Sequence, residues 1–98
     1  MSNFNLASSL HKHGIISDEE MGKHIDKALS SQDYYEKRLA IEHPAATSAN
    51  IDKALDKDQS SMVRRVAIKH PNVTAAHIDK ALGDKDNAVF EYAMRIRR

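Results

Sequence analysis

Phe4, Leu6, Ala7 and Leu10 fall at the three- and four-residue spacings of an amphipathic helix, which predicts a first helix over 3–13 with Gly14 as its stop. Ser17 opens Ser-Asp-Glu-Glu, a capping box in which Glu20 reaches back to the cap, so a second helix is expected over 18–29. Its inward positions are Met21, Ile25, Ala28 and Leu29. Between the two, Ile15 and Ile16 are expected to plug the first layer. Asp33 with Glu36 starts a third helix that must stop by His43, because Pro44 cannot continue it. Thr47 or Ser48 caps a short helix to Leu55, Ser60 caps one to His70 before Pro71, Thr74 caps one to Leu82 before Gly83, and Asp86 opens the last, over 87–97.

These elements are written in copies. Residues 65–82, RVAIKHPNVTAAHIDKAL, repeat 38–55, RLAIEHPAATSANIDKAL, at an offset of 27. A third IDKAL stands at Ile25–Leu29, and Ala93-Met94 echoes Ala67-Ile68. The caps Asp33, Ser60 and Asp86 keep the same interval, so two independent signals give a period of 26–27 residues. Fixed periods of this size belong to architectures in which each unit buries its apolar face only against its neighbours. The expected fold is therefore all-α, an α-solenoid of about three and a half helical hairpins. One domain spans 1–98, with a divergent N-terminal unit (1–32), repeats at 33–59 and 60–85, and a terminal half-repeat at 86–98. Aligning the longer helix of each unit brings Tyr35, Met62 and Ala88 together, then Leu39, Val66 and Tyr92, then Ala40, Ala67 and Ala93, then Ile41, Ile68 and Met94. Apolar positions on two sides suit a helix held between neighbours, and the recurring alanine allows close approach.

Composition narrows the chemistry. Five aromatics in 98 residues leave an aliphatic and alanine core, and a net charge of +1 gives no field over the whole molecule to draw nucleic acid or an anionic membrane. With no cysteine there is no disulfide, thiolate zinc site or cysteine nucleophile. No stretch approaches the roughly 18 apolar residues of a membrane span or resembles a signal peptide, so a cytoplasmic protein is expected.

The string A-I-x-H-P at Ala40–Pro44 and Ala67–Pro71, followed by I-D-K-A-L, resembles the leucine-rich-repeat-variant and HEAT-like group of helical repeats, over 33–98 closely and 1–32 loosely. That resemblance implies a binding scaffold, and some HEAT-like relatives grip DNA on a basic concave face. The same repeats resemble small tailed-phage lysis-inhibition accessory proteins, which implies a holin or antiholin partner.

Six histidines raise a metal site, but equivalent positions in neighbouring units lie roughly 8–10 Å apart, beyond the reach of one ion with bonds near ~2 Å. His43 and His70 are expected to bond helix-end carbonyls at the proline turns. No glycine-rich phosphate loop or nucleophile elbow occurs, so the chain is read as non-enzymatic, with no cofactor and no small-molecule substrate. Asp52-Lys53 and Asp79-Lys80 read as a solvated face. The function expected is a protein-binding adaptor or inhibitor, its partner a heterologous protein or a second copy. It would use the last helix, which carries Phe90, Tyr92, Met94, Arg95 and Arg97 without an IDKAL helix after it. The alternative is a nucleic-acid-binding module using an arginine-rich stripe, a basic patch of Lys37, Arg38, Arg64, Arg65 and Lys69 together with Arg95, Arg97 and Arg98.

Overall fold

A computed structural model describes residues 3–97, and within them the chain forms seven α-helices and no strand. They are α1 (Asn3–Lys12), α2 (Asp18–Leu29), α3 (Tyr34–Glu42), α4 (Ser48–Ala54), α5 (Ser61–Ile68), α6 (Ala75–Ala81) and α7 (Asn87–Ile96). Helices this short are marginal alone in water, so their persistence depends on caps and packing.

The caps lie where local chemistry puts them. Ser17 accepts from the amide of Glu20, Asp33 from Tyr35 and Glu36, Ser60 from Val63, and Asp86 from Ala88 and Val89. At α4 the cap is Thr47, and Asn50 answers it, its Oδ1 accepting from the Thr47 amide at 2.9 Å. The C-terminal limits come one or two residues earlier than the prolines alone require. His43, pressed by Pro44, turns extended (φ −65°, ψ 134°), which leaves Glu42 as the last helical residue of α3. α5 stops at Ile68.

Helices α3, α5 and α7 neighbour one another in succession, α2 lies beside α4, and the contacts α2–α3, α4–α5 and α6–α7 join the two sets. The Cα atoms span 38 × 27 × 14 Å. The least dimension equals two helices packed at about 8–10 Å between axes, with the Cα radius of about 2.3 Å added on either side. The molecule is thus two helices thick.

Its core runs along the boundary between the two sets: Met21, Ile25 and Leu29 of α2, Ile41 of α3, Ile51 of α4, Val63 and Ile68 of α5 and Val89 of α7, each with no more than 1% of its surface exposed. Ala40, Ala67 and Ala93 are fully buried, as close approach between successive helices requires. Gly22 serves the same end on α2, since a Cβ there would come within 2.9 Å of the Thr47 methyl. Two expectations fail. Ile16 packs on the core, but Ile15 is 67% exposed, because Gly14 at φ 74° swings the connection outward before the core is reached. Tyr35 and Met62 are exposed, and so is Ala88. Their column faces away from α2, α4 and α6, leaving Leu39, Val66 and Tyr92 as the half-buried flank.

Candidate functional site

Each junction between successive copies is held by the same side chains. Asn50 on α4 donates from Nδ2 to the Gly22 carbonyl of α2 at 3.0 Å. One copy later, His77 on α6 takes its place: Nδ1 accepts from the Thr74 amide and Nε2 donates to the Ser48 carbonyl at 3.0 Å. Three residues on from each, the lysine of IDKAL does the same for charge. Lys53 reaches Asp26 Oδ1 and the Asp26 carbonyl, with Ser30 Oγ at 2.7 Å. Lys80 reaches the Asp52 carbonyl and carboxylate, with Asp56 Oδ1 at 2.6 Å. Burial works against the charge on Lys80, but the hydrogen bonds to Asp56 and Asp52 outweigh it and raise the pKa. The Asp-Lys pairs are therefore not a plain solvated face but a ladder between copies. Lysine acts here at the last-turn carbonyls of the preceding helix, where a cation is favoured.

The proline turns form a second ladder. His70 Nδ1 accepts from the Asn72 amide, and its Nε2 donates to the His43 carbonyl at 2.8 Å. Asn72 adds bonds to the carbonyls of Pro44 and Ala46. His43 is used differently: Nδ1 accepts from the Ala45 amide, and its ring meets Phe4 and His11 edge to face, with centroids 6.0 and 5.2 Å apart. Burial, with His11 close by, holds His43 below the ordinary imidazole range. His11 pairs with Asp18 at 2.6 Å. Among the described residues no three of His, Asp and Glu gather as a metal site would need, and no buried side-chain polar atom lacks a hydrogen-bond partner.

The basic residues are largely committed to internal partners. Arg64 lays its guanidinium fork on Asp84, at 2.8 and 3.1 Å, and also donates to the Gln59 carbonyl. With side-chain exposures of 13% and 7%, that pair is all but buried. Arg65 does the same to Asp86 at 3.0 and 2.7 Å. The Arg65 bonds overcome the desolvation of Asp86, and with the amides of Val89 and Ala88 they hold its carboxyl at about 2, so the α7 cap stays ionised. Lys37 bonds Gln59 Oε1, Arg38 pairs with Glu42 on its own helix, and Lys69 stands 5.7 Å from the centre of the Tyr92 ring. Arg95 is exposed beside Lys69 and Glu91 in a shallow cleft of about 240 Å³, and Arg97 is exposed past the end of α7. Arg98 lies outside the described residues. Sequence reasoning missed the acidic partners of Arg64 and Arg65. The signal available was the acid-rich loop Gly83–Asp86, one unit on.

At the α6–α7 end the aliphatic positions that are buried in the earlier copies become more exposed. Ile25 and Ile51 are wholly buried, yet Ile78, in the same place on α6, is half-buried, and Leu82 is half-buried where Leu29 and Leu55 are buried. On the longer helices Ile41 and Ile68 are buried, while Met94 is 45% exposed. Phe90, one turn earlier on the same side, is 38% exposed. Its counterparts Lys37 and Arg64 each reach the loop that follows the next short helix, through Gln59 and Asp84. Among the described residues no such helix follows α7, whose neighbours are α5 and α6. Tyr92 is half-buried against the core, so of the residues predicted at this end Phe90 and Met94 are the exposed apolar pair, while Arg95 and Arg97 are exposed charges of the same segment. No protein family, curated protein or solved structure matches this chain.

Proposed function

We propose that the chain is a non-enzymatic α-solenoid of about three and a half helical hairpins that acts as an adaptor or inhibitor by binding another protein across its α6–α7 end. The observation that carries this reading is the loss of burial there: Met94 at 45% exposure where Ile41 and Ile68 are at 0% and 1%. Phe90 and Met94, exposed one turn apart on α7, are the kind of apolar pair an interaction site presents. The nucleic-acid alternative draws less support, because Arg64 and Arg65 are tied to Asp84 and Asp86 and Arg38 to Glu42. Among the described residues, what remains of that basic stripe without an acidic partner is Lys37, Lys69, Arg95 and Arg97, with Glu91 beside Lys69 and Arg95. No helix of the described residues is long and apolar enough to cross a membrane.

Met94→Glu tests the reading. The side chain is half exposed, so the variant is expected to stay folded, with melting within a few degrees of wild type. In quantitative capture from the source cells it should lose a discrete protein that wild type and Tyr35→Glu both retain. Equal capture by all three proteins would sink the proposal.

A further inference from the structure

Each junction already present specifies what covers an end of this kind. At each internal junction a short helix follows a copy whose IDKAL isoleucine and leucine are buried, Ile25 with Leu29 and then Ile51 with Leu55. That helix carries an amide or imidazole donor and, three residues later, a lysine: Asn50 with Lys53, then His77 with Lys80. The donor meets a carbonyl at the start or middle of the preceding helix, Gly22 and then Ser48. The lysine meets an aspartate four residues beyond that carbonyl, Asp26 and then Asp52. On α6 the same two acceptors recur as the carbonyl of Ala75 and the carboxylate of Asp79. Asp79 is exposed and meets no lysine among the described residues. Beside it stand the half-buried Ile78 and Leu82, and beyond them Phe90 and Met94 of α7. Apolar surface and an unanswered carboxylate thus lie together, in the register that the two internal junctions satisfy.

Each internal junction takes one short helix, α4 beside α2 and α6 beside α4, so the equivalent place beside α6 takes a single helix. A second copy of the chain would bring α1 ahead of α2 and so would present a hairpin where a single helix fits.

Resting on the protein-binding reading above, we infer that the partner docks a single amphipathic helix on α6 and α7, with aliphatic residues on Ile78, Leu82, Phe90 and Met94, a lysine on Asp79, and an Asn or His three residues before it on the Ala75 carbonyl. The aliphatic contacts carry affinity and the lysine sets register, because an exposed lysine–carboxylate pair adds little energy but penalises a wrong alignment.

The chain's own short helix supplies a probe. A synthetic peptide of residues 71–85 contains His77, Ile78, Lys80 and Leu82 in the required order. Titrated into the isotope-labelled full chain, it should shift the amide resonances of residues 78–82 and 89–96. Asp79→Lys, and separately a Lys80→Glu peptide, should each weaken binding about threefold to tenfold, the effect of a rim charge pair turned repulsive. Combining Asp79→Lys with the Lys80→Glu peptide should restore it. If Met94→Glu abolishes binding while both charge changes leave it untouched, the lysine register is wrong and the protein-binding face stands. Shifts confined to other helices, or no shift at millimolar peptide, would overturn the inference. So would sedimentation showing that the chain alone associates through Met94, which would make the occupant a second copy.

Discussion

Ile51→Ala is expected to lower the free energy of unfolding by about 2–5 kcal/mol, the cost of removing a large aliphatic side chain from a site that cannot collapse. Ile51 sits at the centre of α4, wholly buried, with α2 on one side and α5 on another. On the α2 side the spacing is pinned by hydrogen bonds that span the gap, from Asn50 to the Gly22 carbonyl and from Lys53 to the Asp26 carbonyl, so the void would persist. For a domain of this size each kcal/mol is worth roughly 4–8 °C of melting temperature. The change should therefore be plain in a thermal scan and severe against a typical total of about 5–15 kcal/mol. Ile15→Ala is the control: at 67% exposure it should stay within about 0.5 kcal/mol of wild type. Denaturant titration of the three proteins measures both. A cost below about 1 kcal/mol at Ile51 would mean that α4 is not packed as described.

The second large effect belongs to Arg64. Removing one partner of a nearly buried ion pair strands the other, at about 3–5 kcal/mol, whereas replacing both with apolar groups of similar volume is often neutral or better. Arg64 and Asp84 meet that condition, since their side chains keep 13% and 7% of their exposure and the contact is a two-bond fork. Without Arg64, Asp84 keeps only the amide of Asp86 as a partner. Arg64→Ala should thus destabilise by about 3–5 kcal/mol, and Arg64→Met combined with Asp84→Leu should recover most of it. A cost under about 1 kcal/mol, the range of exposed pairs, would show the contact to be superficial. The outcome also bears on function. Charge changes at Arg64 disturb the fold, so nucleic-acid binding is better probed at Lys69 and Arg95.

The helix starts were legible because cap chemistry is local: Ser17, Asp33, Ser60 and Asp86 accept from amides two or three residues away, within reach of a reading along the chain. The core alanines and isoleucines were legible because the 27-residue repeat places each of them several times. Other features were hidden by distance. Arg64 and Arg65 looked like a free stripe because Asp84 and Asp86 lie 20 and 21 residues away in sequence, across α6. The Asp-Lys dipeptide looked solvated because each residue pairs with a different copy, Lys53 backward to Asp26 and Lys80 backward to Asp52, an offset invisible within any one repeat. Tyr35 and Met62 looked like core because helical spacing alone does not say which of two apolar sides meets a neighbour. Of the apolar residues singled out on the last helix, Phe90 and Met94 are exposed and Tyr92 is half-buried, a difference that helical spacing alone does not give. The acceptor at this end, Asp79, emerged only once the ladder was seen.

The central question is whether the α6–α7 face meets another protein. A photo-crosslinking amino acid placed at position 94, and in a parallel sample at position 35, measures this in the cells that produce the chain. Position 94 should give one discrete adduct, and position 35, on the outer column and more exposed at 68% against 45%, should give none. Absence of an adduct at 94, or the same adducts from both positions, would contradict that contact.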